Sequence, residues 1–396
     1  MFKKSFIEEC NRFLKEKMMV LVLFIIPILL VILMGFEMSR EVIDNIPMAV
    51  IDHDQSTFSR QLFDAFNQNE TFNVSQYPSS EQELENLMKN SKVRVGLIIP
   101  ENFYNDIVAL KSPTVLMLYD GSHMSMTSVT KSKATEILLT YKAGATINQL
   151  RTRLGLSYEE AYNVAQPVQI NDRMLYNPSK SFEDFLAIIL MAALIQTAIV
   201  LMASVSINHG IFDKERKERI GYASGKVLFY TLCGSLSFII CIIIQASIFG
   251  MPFRGLFLVA FIISIALSFA VSAFCVLVSA LIKNQMLTLV GCSIIFIPNS
   301  IMAGTTWPNF MMPLGYQGYA KFVPFPHYVN NLRNIYLKGL TLRQVTPDIV
   351  YMFLFGVVSL MVVEFVIVIL EKKDVNREGK RHDISRDVQN TVQLDI

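Results

Sequence analysis

Six long, almost uncharged apolar stretches divide the chain: Met18–Phe36, Leu186–Ile207, Val227–Phe249, Leu256–Ile282, Met286–Ala303 and Ile349–Leu370. A helix needs about 20 mostly apolar residues to cross a bilayer, and these stretches have that length. Before the first of them, residues 1–17 change period. Phe2, Phe6, Cys10, Phe13 and Leu14 fall on one helical face and the charges on the other, which predicts an amphipathic helix lying at the membrane interface.

Between the first two stretches, residues 37–181 alternate short β-rich runs with helical patterns. Strands are expected at Ile46–Ile51, Phe72–Tyr77, Val93–Ile99 and Val115–Tyr119. Helices are expected from a cap at Asp54 or Ser56 to about Asn67, and over Glu81–Lys89, Glu101–Leu110, Ser125–Arg153 and Tyr158–Gln166. That alternation predicts an inserted extracytoplasmic α/β domain with a helical stalk. Residues 304–345 carry Pro308, Pro313, Pro324 and Pro326 with Gly304, Gly315 and Gly318. The segment is too apolar for a free loop and too broken for a span, so a re-entrant or interfacial hairpin is expected there.

Composition sharpens the class. Of 396 residues 52% are hydrophobic and 17% charged, where soluble domains carry about 25% charged. A net charge of +2 gives no reason to expect nucleic acid as a partner. Lys and Arg cluster in residues 1–17, in the loop 208–226 and in the tail 371–396. The positive-inside rule therefore places both termini in the cytoplasm and makes the first stretch an uncleaved anchor. The fold expected is a polytopic α-helical membrane protein: one transmembrane helix at 18–36, a bundle of five more over 182–370, and a cytoplasmic tail over 371–396. Cys10, Cys233, Cys241, Cys275 and Cys292 avoid the long polar insert, which argues against a disulfide framework, and no paired CxxC metal site occurs.

Candidate chemistry is sparse. The loop His209 to Gly221 carries charges of both signs with an apolar ridge of Ile211, Phe212 and Ile220. It reads either as a short membrane-parallel helix that docks a cytoplasmic partner or as a solvated loop holding positive-inside charge. The string Gly221-Tyr222-Ala223-Ser224-Gly225-Lys226 lacks the spacing and the hydroxyl of a phosphate loop, so no nucleotide binding is expected of this chain. Asp52-His53-Asp54 and Asp120-Gly121-Ser122-His123 read as turns. Polar residues inside the apolar stretches are Gln196, Gln245, Asn299 and Glu364. They are candidates for a translocation path or a dimer contact, the glutamines equally for interhelical hydrogen bonds.

The motif order resembles the type-2 permeases of ATP-binding-cassette exporters over essentially the whole chain. Ile46 to Asp54 with Ser56 and Ser59-Arg60 resembles that family's opening strand and turn, Val93 to Phe103 its strand ending in I-P-x-x-F, and Tyr119-Asp120-Gly121-Ser122 its D-G-S turn. Glu215 to Gly221 resembles the coupling-helix pattern E-x-E-x-G-T, with Tyr222 in place of Thr. Residues 300–339, with Phe325-Pro326-His327-Tyr328 and Arg333 to Gly339, resemble the family's ending. The resemblance implies a non-enzymatic transport subunit of a bacterial inner membrane, moving a hydrophobic, drug-like or lipid-like compound outward. It implies cytoplasmic ATPase subunits that hold the ATP and Mg, a second permease copy or paralogue, surrounding membrane lipids and a periplasmic adaptor. Ile211, Phe212, Asp213, Glu215, Glu218, Arg219 and Gly221 would then face the ATPase. Two other classes compete: a membrane-anchored sensor with residues 37–181 as its ligand domain, and an ion-coupled transporter working without ATP.

Overall fold

The computed structural model describes residues 1–37, 43–171, 173–178, 181–206, 216–282, 284–363 and 365. The chain forms two compact units, one of Met1–Glu41 with Leu175–Ile396, the other of Val42–Met174.

In the first unit six helices are long and apolar enough to cross a membrane: Lys17–Glu37, Asp184–Ser204, Glu218–Ser247, Phe257–Leu281, Gln285–Met302 and Leu342–Val363. The fourth is the most enclosed, 72% of its apolar window being buried, against 22% for the fifth and sixth. Its sequence explains that position. Ala260, Ser264, Ala266, Ser268, Ala270, Ser272, Ala273 and Ala280 are small and buried, so neighbouring backbones approach it from several sides. Gly234 of the third span is one such close approach. A Cβ there would lie 2.5 Å from Ile199 of the second span and 2.8 Å from Ser268 of the fourth. In the first span a π-helical turn, Leu21–Ile25, precedes Pro27. The wider turn accommodates a ring that cannot donate to the carbonyl four residues back.

Two boundaries differ from the sequence expectation. The loop 208–226 is expected to hold either a short membrane-parallel helix or a solvated stretch; residues 207–215 lie outside the described residues, and from Arg216 onward the chain is already the 32-residue helix Arg216–Ser247. No helix breaker stands between Arg216 and Val227, and the two glycines there are held by packing, so the helical ladder simply continues. Likewise the sixth span starts at Leu342 rather than Ile349, shortening the irregular region 304–345. That region folds as a 3₁₀ turn Asn309–Met311 and two helices, Leu314–Phe322 and Pro324–Lys338. Pro324 occupies the first helical position, where its missing N–H costs nothing, and Gly339 (φ 70°) ends the helix. Phe325, Tyr328, Val329, Leu332, Ile335 and Tyr336 are fully buried in the core shared with the spans.

The second unit is built on a four-stranded sheet of order β2-β1-β3-β4, with β1 Ile46–Asp52, β2 Phe72–Gln76, β3 Val95–Ile99 and β4 Leu116–Tyr119. β1 runs parallel to β2 and β3, and β4 antiparallel to β3. The parallel centre needs cover on both faces. Helix Thr57–Asn67 packs Leu62 and Phe66 with Met48 and Val50, while helix Glu81–Lys89 packs Leu84 with Ala49, Ile51 and Ile98. Ser56, not Asp54, caps the first of these helices. Asp52 accepts from the Asp54 and Gln55 amides at 3.0 Å and from the Ser59 hydroxyl at 2.7 Å. The Asp-His-Asp turn is thus held by the Asp52 carboxylate, which accepts from the amides that follow it. The 31-residue helix Met124–Leu154 and the short Tyr158–Ala165 complete the unit.

Candidate functional site

The most heavily built polar site in the first unit lies where the amino-terminal helix Phe2–Lys15 crosses the start of the helix Arg216–Ser247. At about 100° per residue, Phe2, Phe13, Phe6 and also Ser5 and Glu9 fall within one stripe of the short helix. Phe6 and Phe13 pack edge-on against Phe229, with ring centroids 6.2 and 5.7 Å apart. The approach is close because the receiving helix presents Gly221 and Gly225 one turn apart. A Cβ on Gly225 would sit 2.6 Å from the Phe2 carbonyl oxygen, and one on Gly221 would sit 3.3 Å from the Phe2 nitrogen. The string that superficially resembles a phosphate loop is therefore a small-xxx-small helix crossing. The Ser5 hydroxyl donates to the Tyr222 carbonyl at 2.7 Å.

That crossing encloses charge. The Lys226 ammonium donates to Glu9 Oε2 at 2.7 Å and to the Ser206 carbonyl at 2.7 Å, and the Tyr230 hydroxyl donates to Glu9 Oε1 at 2.5 Å. The side chains of Glu9 and Lys226 are 2% and 6% exposed. Arg12 stands 3.6 Å from Glu9 at the rim and pairs with Glu16 at 2.9 Å. Burial raises the neighbouring Cys10 thiol above its ordinary value, and the Glu9 charge adds to the rise. Two charges taken out of water require both good geometry and further hydrogen bonds. Glu9 uses both oxygens, and Lys226 reaches one carboxylate and one carbonyl. The cluster ties three segments together: the amino-terminal helix, the end of the second span and the start of the third.

Of the residues expected at a coupling surface, Ile211, Phe212, Asp213 and Glu215 lie outside the described residues. Glu218, Arg219 and Gly221 occupy the first turns of the helix from Arg216, beside the Glu9–Lys226 cluster in sequence, and Arg219 is 5% exposed. Glu364 also lies outside the described residues. The other three expected polar positions are buried and bridge helices. Gln196 donates to the Phe296 carbonyl of the fifth span at 3.1 Å. Gln245 donates to the Ala187 carbonyl at 3.3 Å and accepts from the Tyr336 hydroxyl at 2.9 Å, linking the second and third spans to the Pro324–Lys338 helix. Asn299 stands at the break of the fifth span, 2.5 Å from the Tyr319 hydroxyl, which also contacts the Ile295 carbonyl. They do not converge on the Glu9 cluster.

Sequence reasoning missed Glu9, Lys226 and Tyr230. The signal was present in the short helix, where a carboxylate sits in the middle of an aromatic stripe. Lys226, next to a Gly-xxx-Gly pair, reads in the sequence as positive-inside charge or as the end of a false phosphate loop. The family-ending motif is likewise structural in part. His327 lies between Asp348 (2.6 Å) and the Lys321 carbonyl (2.9 Å), and Tyr328 meets Ser264 at 3.0 Å.

Residues 17–363 match the family described as ABC-2 family transporter protein. The chain is 20% identical over 330 residues to the probable multidrug ABC transporter permease YbhR of Escherichia coli K12, covering 80% of this chain and 85% of that one. It is 21% identical over 352 residues to ABC transporter G family member 20 of Dictyostelium discoideum, covering 84% of this chain and 45% of that protein. It is 25% identical over 115 residues to the probable multidrug ABC transporter permease YbhS of E. coli K12, 29% of this chain and 30% of that one. No solved structure matches.

Proposed function

The chain belongs to the ABC-2 family of transporter proteins, and we propose that it is the permease of an ATP-driven exporter for a hydrophobic, drug-like or lipid-like compound, powered by separate ATPase subunits. One observation carries the reading: the start of the third membrane helix is both charged and clamped. At about 1.5 Å per residue the 32-residue helix Arg216–Ser247 is about 48 Å long, against about 30 Å of bilayer hydrocarbon. Its basic first turns therefore extend past the apolar region. A push on Glu218, Arg219 or the preceding residues would travel along an unbroken helix. The Glu9–Lys226–Ser206 cluster would share that push with the amino-terminal helix and the second span.

Three further proposals follow from the family and the charge pattern. The termini are cytoplasmic, and residues 37–181 form an extracytoplasmic domain. The permease works as a pair, with itself or with a paralogue; the similarity of this chain to two distinct E. coli permeases supports a paralogous pair. Glu364 is proposed to line the path or the pair contact, and Gln196, Gln245 and Asn299 are proposed to act as hydrogen bonds between helices of one chain.

The test is co-purification of the chain with its candidate cytoplasmic ATPase and ATP turnover in lipid nanodiscs, comparing wild type with Glu215→Arg/Glu218→Arg. Loss of binding or of coupled turnover in the variant supports the reading. Equal binding by both removes the coupling assignment, and failure of any ATPase to associate removes the exporter reading.

A further inference from the structure

The Val42–Met174 unit contains a groove of about 390 Å³ between the helix Met124–Leu154 and the segment 103–115, within the roughly 300–1,000 Å³ typical of small-molecule sites. Its lining is mixed: Ile107, Leu110, Val115, Leu138 and Ala145 supply apolar surface together with the buried Leu62 and Phe103, and Ser112, Tyr141, Thr146 and Gln149 supply polar groups. Lys111 and Lys142 stand among the lining residues, and no Asp or Glu does. Lys111 is paired with Asp106 at 3.3 Å. Among the described residues the Lys142 ammonium has no ion-pair or hydrogen-bond partner, and the side chain is exposed. At the groove's edge Leu110 is 63% exposed and held at φ 60°, a conformation a branched side chain rarely adopts.

We propose that this groove binds a single-chain amphiphile with an anionic head group, its apolar chain lying against Ile107, Leu110, Val115 and Leu138 and its head group on Lys142. The chemistry selects this class. The apolar part of the lining takes a hydrocarbon chain out of water. An unpaired ammonium at the rim complements an anion, and it repels a cationic head group. Lys111, already neutralised by Asp106, adds reach rather than net charge. The inference goes beyond the exporter reading. Binding at this groove requires neither ATP nor a partner subunit.

The experiment uses the full chain in phosphatidylcholine nanodiscs with a diazirine-bearing fatty acid, irradiated and mapped by peptide mass spectrometry. Labelling is expected in residues 103–115 and 138–149, above the background labelling of the membrane spans, which serves as the internal control. Excess dodecanoate should remove the groove labelling, and equal dodecyltrimethylammonium should leave it. Lys142→Glu should lower groove labelling at least fivefold with the span background unchanged, and Ala145→Trp should abolish it by filling the groove. The proposal fails if labelling is confined to the spans, if the cationic amphiphile competes as well as dodecanoate, or if Lys142→Glu labels like wild type. The competition arm uses wild-type protein alone, so a misfolded variant does not rescue or sink it.

Discussion

Each unit of the molecule holds an ion pair between residues far apart in sequence, and the two pairs have opposite characters. Glu9–Lys226 is 2% and 6% exposed and is supported by Tyr230 and the Ser206 carbonyl. Arg94–Asp120, linking the start of β3 to the end of β4, is 22% and 15% exposed, and Asp120 also accepts from the Ser122 amide at 3.0 Å. The first pair is bound to a specific helix crossing, since desolvated charges require their partners in place. The second keeps water as a ready substitute, so its loss matters little. A buried pair therefore acts as a positional lock, and a rim pair as local trim on a turn that backbone hydrogen bonds already hold.

The sharpest way to break the comparison is Lys226→Met, which strands a buried carboxylate. It should cost about 3–5 kcal/mol, read as a lowered midpoint of thermal unfolding in nanodiscs, while Arg94→Met should move the same midpoint far less. Glu9→Gln together with Lys226→Met should recover part of the loss. Equal effects of Lys226→Met and Arg94→Met would end the distinction.

Next in size are two substitutions that test packing and neutral hydrogen bonding around the same core. Gly225→Val places a side chain where Phe2 and Ser5 already sit. Such overpacking costs about 1–3 kcal/mol and should speed amide exchange across residues 2–15. Gly144→Val, with nothing within 4 Å of its Cβ, is the control and should leave that exchange unchanged. Gln245→Leu leaves the buried Tyr336 hydroxyl without its acceptor, at about 1–3 kcal/mol. Tyr336→Phe in the same chain should restore much of it, a coupling that a double-mutant cycle measures directly.

The smallest effect concerns pH. Hydrogen bonds from Ser122, then Arg94, hold the Asp120 carboxyl well below the usual carboxylate range. A depressed folded value means the contribution is present above the unfolded value of about 3.9 and fades as pH falls below it. Thermal unfolding of wild type should therefore lose more between pH 6 and pH 3 than that of Asp120→Asn. Identical slopes would remove Asp120 from the acid response.

Much of the fold was legible from local pattern. Apolar runs near 20 residues located six spans, and short continuous apolar runs placed β1 and β3 to within a residue or two, because burial on both faces of a parallel strand demands Met48-Ala49-Val50-Ile51 and Gly96-Leu97-Ile98-Ile99. Boundaries were less legible. The reach of the third helix back to Arg216 and the start of the sixth span at Leu342 depend on helical continuation through charged residues, which hydropathy does not register. Of the candidate site, Gln196, Gln245 and Asn299 stood out because polar atoms in apolar runs are few. Glu9 and Lys226 did not, because each is an ordinary charge in a charged segment.

The set of segments, their apolar faces and the sign of charge at each end are therefore readable along the chain. Those follow from side-chain transfer energies and chain periodicity, which are local. Only the tertiary structure decided which charges leave water. Glu9 and Lys226 are 217 residues apart, and their burial depends on Gly221 and Gly225 letting two helices come close enough to expel solvent between them. That is a property of the contact and of neither segment alone.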